Sequence, residues 1–114
     1  MVWKVETTEE YDAWFMEQST DGQASIQMKV GVLKEYGSHL PRPHADTLKG
    51  SKLSNLKELR AHSAANVFRV ASLFDAERNA LLLIGGDKRG KDERLFYRNL
   101  IKQAEEIYQQ YRKG

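Results

Sequence analysis

The chain has 114 residues, 40% of them hydrophobic and 30% charged, with a formal net charge of +2. This length predicts a single domain over residues 1–114, because a second core would not fit. The composition excludes a disordered chain, and no apolar run approaches the roughly 20 residues that span a bilayer. Because the chain lacks cysteine and a leader-like N-terminus, we expect no disulfides or thiolate sites and a cytoplasmic location.

Charge is distributed unevenly along the sequence. Residues 1–40 carry three basic and seven acidic side chains, residues 41–94 eleven and seven, and residues 95–114 four and two. The balances are therefore −4, +4 and +2. A basic second half indicates a surface for a negatively charged partner. Lysines and arginines that merely hydrate the surface are the alternative interpretation.

The first 40 residues predict a short strand and two helices. Residues 3–6 are β-prone and predict an edge strand. Thr7 and Thr20 are each followed, three positions later, by Glu or Gln, which is the capping-box pattern, so we expect a helix to begin at each. Gly37 follows the second helical pattern and predicts its end.

The rest of the chain predicts an antiparallel sheet and a final helix. Two prolines make residues 39–54 irregular, and the hydrophobic period then changes to two over 56–62, 67–75 and 80–86. Short, turn-rich connectors favour a meander, and an apolar stripe over 97–111 predicts a helix. The predicted order is β-α-α-β-β-β-α. This is an α+β fold with a mostly antiparallel sheet, helices packed on one face, and the other face open.

Several basic residues fall on neighbouring predicted strands. Alternation along the first of the three strands puts Glu58, Arg60 and His62 on one side. Arg69, in the next strand, points away from that strand's apolar face. If that side is the open face of the sheet, two arginines and a histidine converge there. Leu56 would lie on the same side, so the pattern does not force this register. The alternative is that Arg60 forms an ordinary cross-strand ion pair.

The segment GGDKRGK at residues 85–91 matches the first seven positions of a phosphate-binding loop. Asp92, however, stands where Ser or Thr must hold magnesium, and the chain lacks the βαβ units of such nucleotide sites. The segment therefore predicts a basic turn that presents Lys88 and Arg89 to phosphate. The three histidines have no chelating spacing, so we expect no metal site.

Six short runs, taken together and in order, carry a resemblance to a known family. They are LKEYG (33–37), LPRPHADTLKG (40–50), LKELR (56–60), FRV (68–70), LLI (82–84) and the turn around Lys88. In this combination the chain resembles the HigB branch of the RelE/ParE toxin superfamily.

The resemblance implies a RelE-like fold and the toxin of a type II toxin–antitoxin pair. It further implies a ribosome-dependent mRNA endoribonuclease that inhibits translation without metal or other cofactor. The implied partners are a cognate helix-turn-helix antitoxin, the ribosome and mRNA, with no membrane. The same superfamily includes gyrase poisons, so a non-cleaving inhibitor of the ParE type is the alternative function.

The resemblance also implies site residues. Arg60, Arg69 and Lys88 match the family's catalytic cations, and fixed cations stabilise the charge that builds when a ribose 2′-hydroxyl attacks the adjacent phosphate. The general base stays open between three residues, which are Glu58, His62 and Tyr97. Contacts to the RNA backbone are expected from Lys49, Lys52, Lys57 and Arg89.

Overall fold

The structure, a computed structural model, describes residues 2–114. Its elements in chain order are β1 Lys4–Thr7, α1 Glu9–Met16, α2 Thr20–Tyr36, a 3-10 turn Gly37–His39, β2 Ala45–Thr47, β3 Leu56–His62, β4 Val67–Phe74, β5 Asn79–Asp87 and α3 Glu93–Lys113. The predicted α+β class is confirmed. Within residues 2–114, no helix has the length and apolar character needed to cross a membrane.

The sheet has five strands in the order β1-β5-β4-β3-β2. β3, β4 and β5 form the predicted antiparallel meander, and β1 lies at one edge, parallel to β5. β2 forms the other edge and pairs with β3 so that Asp46 lies opposite Glu58. The sequence did not predict β2, because three residues are too few to display a period of two.

Helices cover both faces of the sheet, so the prediction that they pack on one face is wrong in this respect. α1 and α2 share one apolar cluster with residues such as Leu82, whereas α3 shares a second cluster with residues such as Leu83. These adjacent residues are 1% and 0% exposed. A strand that is apolar on both faces requires cover on both, and the amphipathic α3 supplies the second layer.

The helix boundaries follow local hydrogen bonding, and both predicted N-caps are wrong by one residue. Thr8 caps α1: its hydroxyl oxygen accepts from the Tyr11 N–H at 3.0 Å and its O–H donates to the Leu83 carbonyl at 2.7 Å. Ser19 caps α2. The predicted end of α2 at Gly37 is confirmed. Its φ is +55°, and a Cβ there would lie 1.9 Å from the Trp3 ring, so only glycine fits.

A β-bulge in β5 sets which residue lies opposite Arg69 of β4. Ala71 pairs with Ile84 and Ser72 with Leu82, so Leu83 is an extra residue in β5. The shifted register puts Gly86 opposite Arg69. Since glycine has no side chain, the β5 residue opposite Arg69 leaves room on this face for the Phe96 ring of α3.

Candidate functional site: an arginine pair around a buried carboxylate

Arg60 and Arg69 are register partners on β3 and β4. Both point to the α3 face, where their side chains are 26% and 12% exposed. The structure thus brings together the two arginines that strand alternation put on one side. Their catalytic role stays a prediction.

One buried carboxylate orients both arginines. Glu58 is 4% exposed; its Oε2 accepts from Arg60 Nη2 at 3.1 Å, and its Oε1 lies 3.2 Å from Arg69 Nε. The Tyr97 hydroxyl, contributed by α3, donates to the same Oε1 at 2.6 Å and accepts from Arg69 Nε at 3.1 Å. Two strands and a helix therefore converge on Glu58, which fixes the guanidinium groups before any ligand arrives.

Asp46 on β2 adds a second carboxylate beside Arg60. Its Oδ2 lies 3.6 Å from Arg60 Nη2 and 2.8 Å from Arg42 Nη2. The hydrogen bond from Arg42, together with the Thr47 N–H, holds the pKa of Asp46 below its usual range. The cross-strand ion pair considered for Arg60 is therefore present, and it belongs to the same cluster as the candidate site.

Lys88 lies on the helix side of this cluster. Its Nζ is 2.7 Å from Glu93 Oε1 and 5.6 Å from the centre of the Tyr97 ring. The hydrogen bond from Lys88 lowers the pKa of the Glu93 carboxyl. The charge of Lys88 is thus matched by a carboxylate from the first turn of α3.

A groove of about 330 Å³ opens beside the arginine pair. Its described lining consists of Lys29, Pro43, Arg60, His62, Ser63, Asn66, Val67, Arg69 and Arg89, with no carboxylate among them. Arg89 thus lies in the same groove as the arginine pair, and its contact with phosphate stays a prediction. Lys29 was missed, because a lysine on an amphipathic helix 31 positions before Arg60 has no signal in the sequence that distinguishes it from a solvent-facing residue.

The other three predicted RNA-binding lysines lie away from the groove. Lys49 and Lys52 are exposed in the loop before β3, where the Lys52 N–H donates to Glu105 of α3 at 2.7 Å. That end of β3 is about 13 Å from Arg60, at roughly 3.3 Å per residue. Lys57 lies on the sheet face opposite Arg60, and its Nζ donates to the Ser38 carbonyl of the 3-10 turn at 2.6 Å.

The three candidate general bases differ in their surroundings. Glu58 already accepts hydrogen bonds from Arg60 and Tyr97 and forms an ion pair with Arg69. Burial, reinforced by the hydrogen bond to Glu58, raises the pKa of Tyr97, so its hydroxyl keeps its proton and acts as a donor. His62 lines the groove and is exposed, and its imidazole makes no hydrogen bond to any residue from 2 to 114. Imidazole both accepts and donates protons near neutral pH.

The arrangement is suited to phosphate chemistry. Oriented guanidinium groups match phosphate oxygens in shape and stabilise developing negative charge without reorganising. Among residues 2–114, no three His, Asp or Glu side chains are positioned to hold a metal ion together.

The fold is that of the RelE toxins. The free E. coli toxin RelE, solved as a double arginine mutant, superposes with a TM-score of 0.62 at 9% identity, covering 90% of this chain and 97% of that one. The toxin–antitoxin complex RelBE2 from Mycobacterium tuberculosis contains a chain that matches with a TM-score of 0.59 at 15% identity, covering 76% and 99%.

Sequence relatives identify the branch. The family model described as "Phage derived protein Gp49-like (DUF891)" matches residues 13–109. "Putative toxin HigB3" of M. tuberculosis is 36% identical over 89 residues, covering 78% of this chain and 76% of that protein. "Putative toxin HigB2" is 32% identical over 104 residues, but this chain spans only about half of it, 51%. The chain belongs to the Gp49-like family and is a HigB-like toxin with a RelE-like fold.

Proposed function

We propose that this toxin is a ribosome-dependent, metal-independent mRNA endoribonuclease that inhibits translation. The observation that supports it best is the pairing of Arg60 with Arg69 around buried Glu58, beside a groove whose described lining carries cations and no carboxylate. A protein that only occupied a target surface would have no need to orient two guanidinium groups through one buried carboxylate.

The proposed chemistry is transfer of the RNA phosphate to the neighbouring ribose. The 2′-oxygen forms a bond to phosphorus as the bond from phosphorus to the 5′-oxygen breaks, leaving a cyclic phosphate and a 5′-hydroxyl. Arg60 and Arg69 stabilise the charge on the non-bridging oxygens. His62 is proposed to accept the proton of the 2′-hydroxyl, because Glu58 is fully engaged and Tyr97 retains its proton. The departing 5′-oxygen takes its proton from water.

The test is controlled expression followed by mapping of mRNA 5′ ends, with and without a block on translation initiation. We expect growth arrest and new 5′-hydroxyl ends within coding regions, and we expect the cuts to disappear when initiation is blocked. An Arg69→Ala variant serves as the uncut control. Intact transcripts accompanied by double-stranded DNA breaks would instead support the gyrase-directed alternative.

We also propose a helix-turn-helix antitoxin as the cognate partner. An exposed cationic groove gives an acidic or mixed-charge segment of such a partner a physical handle. Co-expression with the neighbouring open reading frame should restore growth, and the two proteins should co-purify. Neither rescue nor co-purification would contradict this assignment.

A further inference from the structure

Lys29 on α2 is a groove residue that neither the motifs nor the proposed chemistry uses. It is half-buried, it lines the groove with Arg60 and Arg69, and its Nζ lies 2.6 Å from Nδ1 of His44. An ammonium group only donates, so Nδ1 of His44 is the acceptor. The His44 carbonyl in turn accepts from the Arg60 N–H at 2.8 Å, which ties this contact to the strand that carries Arg60.

The groove cations fall into two groups by charge balance. Arg60 and Arg69 are offset by Glu58 and Asp46. Lys29 and Arg89, by contrast, make no ion pair with any residue from 2 to 114. Net attraction for an anion therefore comes mainly from Lys29 and Arg89. The carboxylates instead hold Arg60 and Arg69 in fixed orientations.

These cations follow the order of the strands across the sheet. Arg89 follows β5, Arg69 lies on β4, Arg60 lies on β3, and His44, which holds Lys29, directly precedes β2. Adjacent strands are about 4.8 Å apart, so the row is roughly 14 Å long. A single phosphate cannot contact both ends at hydrogen-bond distances of about 3 Å.

We propose that Lys29, held by His44, is a phosphate-binding residue at one end of a row that runs from Arg89 across the strands. The ligand it takes is a single-stranded polynucleotide backbone with phosphates on both sides of the one at Arg60 and Arg69. This inference rests on the proposed function. It adds the path of the RNA backbone across the sheet and the residue that binds phosphate at the far end of that path.

The test measures binding without cleavage. A 2′-O-methyl RNA octamer and a nucleoside monophosphate are titrated by fluorescence anisotropy or competition at several salt concentrations. Losing one phosphate contact to a single strand lowers the slope of log affinity against log salt by about 0.7, or about fivefold in affinity at roughly 0.1 M salt. We expect this loss for Lys29→Gln with the octamer and no change with the monophosphate.

The matched control is Lys34→Gln, which removes the same charge from the same helix. Lys34 is exposed and lies about 140° around α2 from Lys29. The Lys34→Gln variant should bind the octamer with the same affinity as the unmodified protein. Lys29→Arg retains the charge and should also bind normally, which separates loss of the cation from disturbed packing.

Equal affinities for Lys29→Gln and Lys34→Gln would overturn the inference, as would absence of octamer binding by the unmodified protein. If Lys29→Gln alone lowered octamer affinity but the toxin left transcripts intact in cells, the RNA-binding site would stand and the endoribonuclease activity would be rejected. Cleavage that persists without any Lys29 effect on binding would reject only this site.

Discussion

The two ends of the surface between α3 and the sheet are built on different principles. At one end the apolar side chains of Leu83, Leu100 and Ala104 are buried in one cluster, each 3% exposed or less. At the other end Arg69 and Tyr97 meet the buried carboxylate of Glu58. The same helix and the same strands form both ends.

This difference separates stability from function. Apolar burial contributes roughly 25 cal/mol per Å² and does not depend on orientation, whereas a buried ion pair adds little net stability and depends strongly on geometry. The apolar end therefore holds α3 in register, and the polar end uses that register to position Tyr97. Four groups of substitutions test this division, from the largest expected effect to the smallest.

Arg60→Ala and Arg69→Ala should abolish toxicity. Loss of a preorganised charge donor typically lowers the rate by on the order of 10²–10³, which corresponds to about 3–4 kcal/mol. Growth after induction is the measurement, with circular dichroism to check folding and ribosome pelleting to check binding. A folded Arg60→Ala protein that remained fully toxic would remove Arg60 from the catalytic assignment. An unfolded one would assign it to the structural ion pairs.

Leu100→Ala should lower the free energy of unfolding by about 2–4 kcal/mol, because it leaves a cavity at the apolar end. Groove binding by the folded fraction should persist. Leu95→Ala on the same helix is the control. Leu95 is 49% exposed, so its removal should change the free energy of unfolding only slightly. Urea denaturation compares the two variants. Equal losses would mean that the apolar end does not anchor α3.

Tyr97→Phe should lower the free energy of unfolding by about 1–2 kcal/mol, because it removes the hydrogen bond to the charged Glu58 carboxylate. The raised pKa of Tyr97 in the folded state sets the pH dependence. The stabilisation is fully present below about pH 10, the ordinary value for an unfolded tyrosine, and is lost as the pH rises through the folded-state pKa. The stability gap between the two proteins should thus be constant up to about pH 10 and then narrow. A gap that opened only on acidification would contradict the hydrogen-bond assignment.

Lys49→Ala and Lys52→Ala should have the smallest effects, a salt-dependent loss of RNA affinity of about fivefold or less each, with residual toxicity. Lys57→Ala should differ in kind, because Lys57 donates to the Ser38 carbonyl on the other face. We expect it to lower the free energy of unfolding by about 1 kcal/mol and to leave affinity unchanged. Binding titrations and thermal melts, run in parallel on all three, separate these outcomes. If Lys57→Ala lost as much RNA affinity as Lys49→Ala and Lys52→Ala, Lys57 would be an RNA contact and not a structural residue.

Local patterns predicted the fold class and most strands. Alternation in β3 put Glu58 and Arg60 on one side, and the structure brings both together with Arg69. Each N-cap prediction failed by one residue, since either of two adjacent hydroxyl residues can cap a helix and the Glu or Gln three positions later favoured the wrong one. For Thr8 the deciding contact is the bond to the Leu83 carbonyl, 75 residues away in sequence.

The sequence by itself determined the α+β class, the antiparallel meander and the common side of Glu58 and Arg60, because these depend on periods of two and 3.6 residues. Tertiary structure decided which face each helix covers. It placed Lys57 against the 3-10 turn and Lys29 in the groove, and it paired Lys88 with Glu93. A long, flexible cationic side chain reaches whichever partner the packed elements bring near, and a sequence records its charge but not that partner.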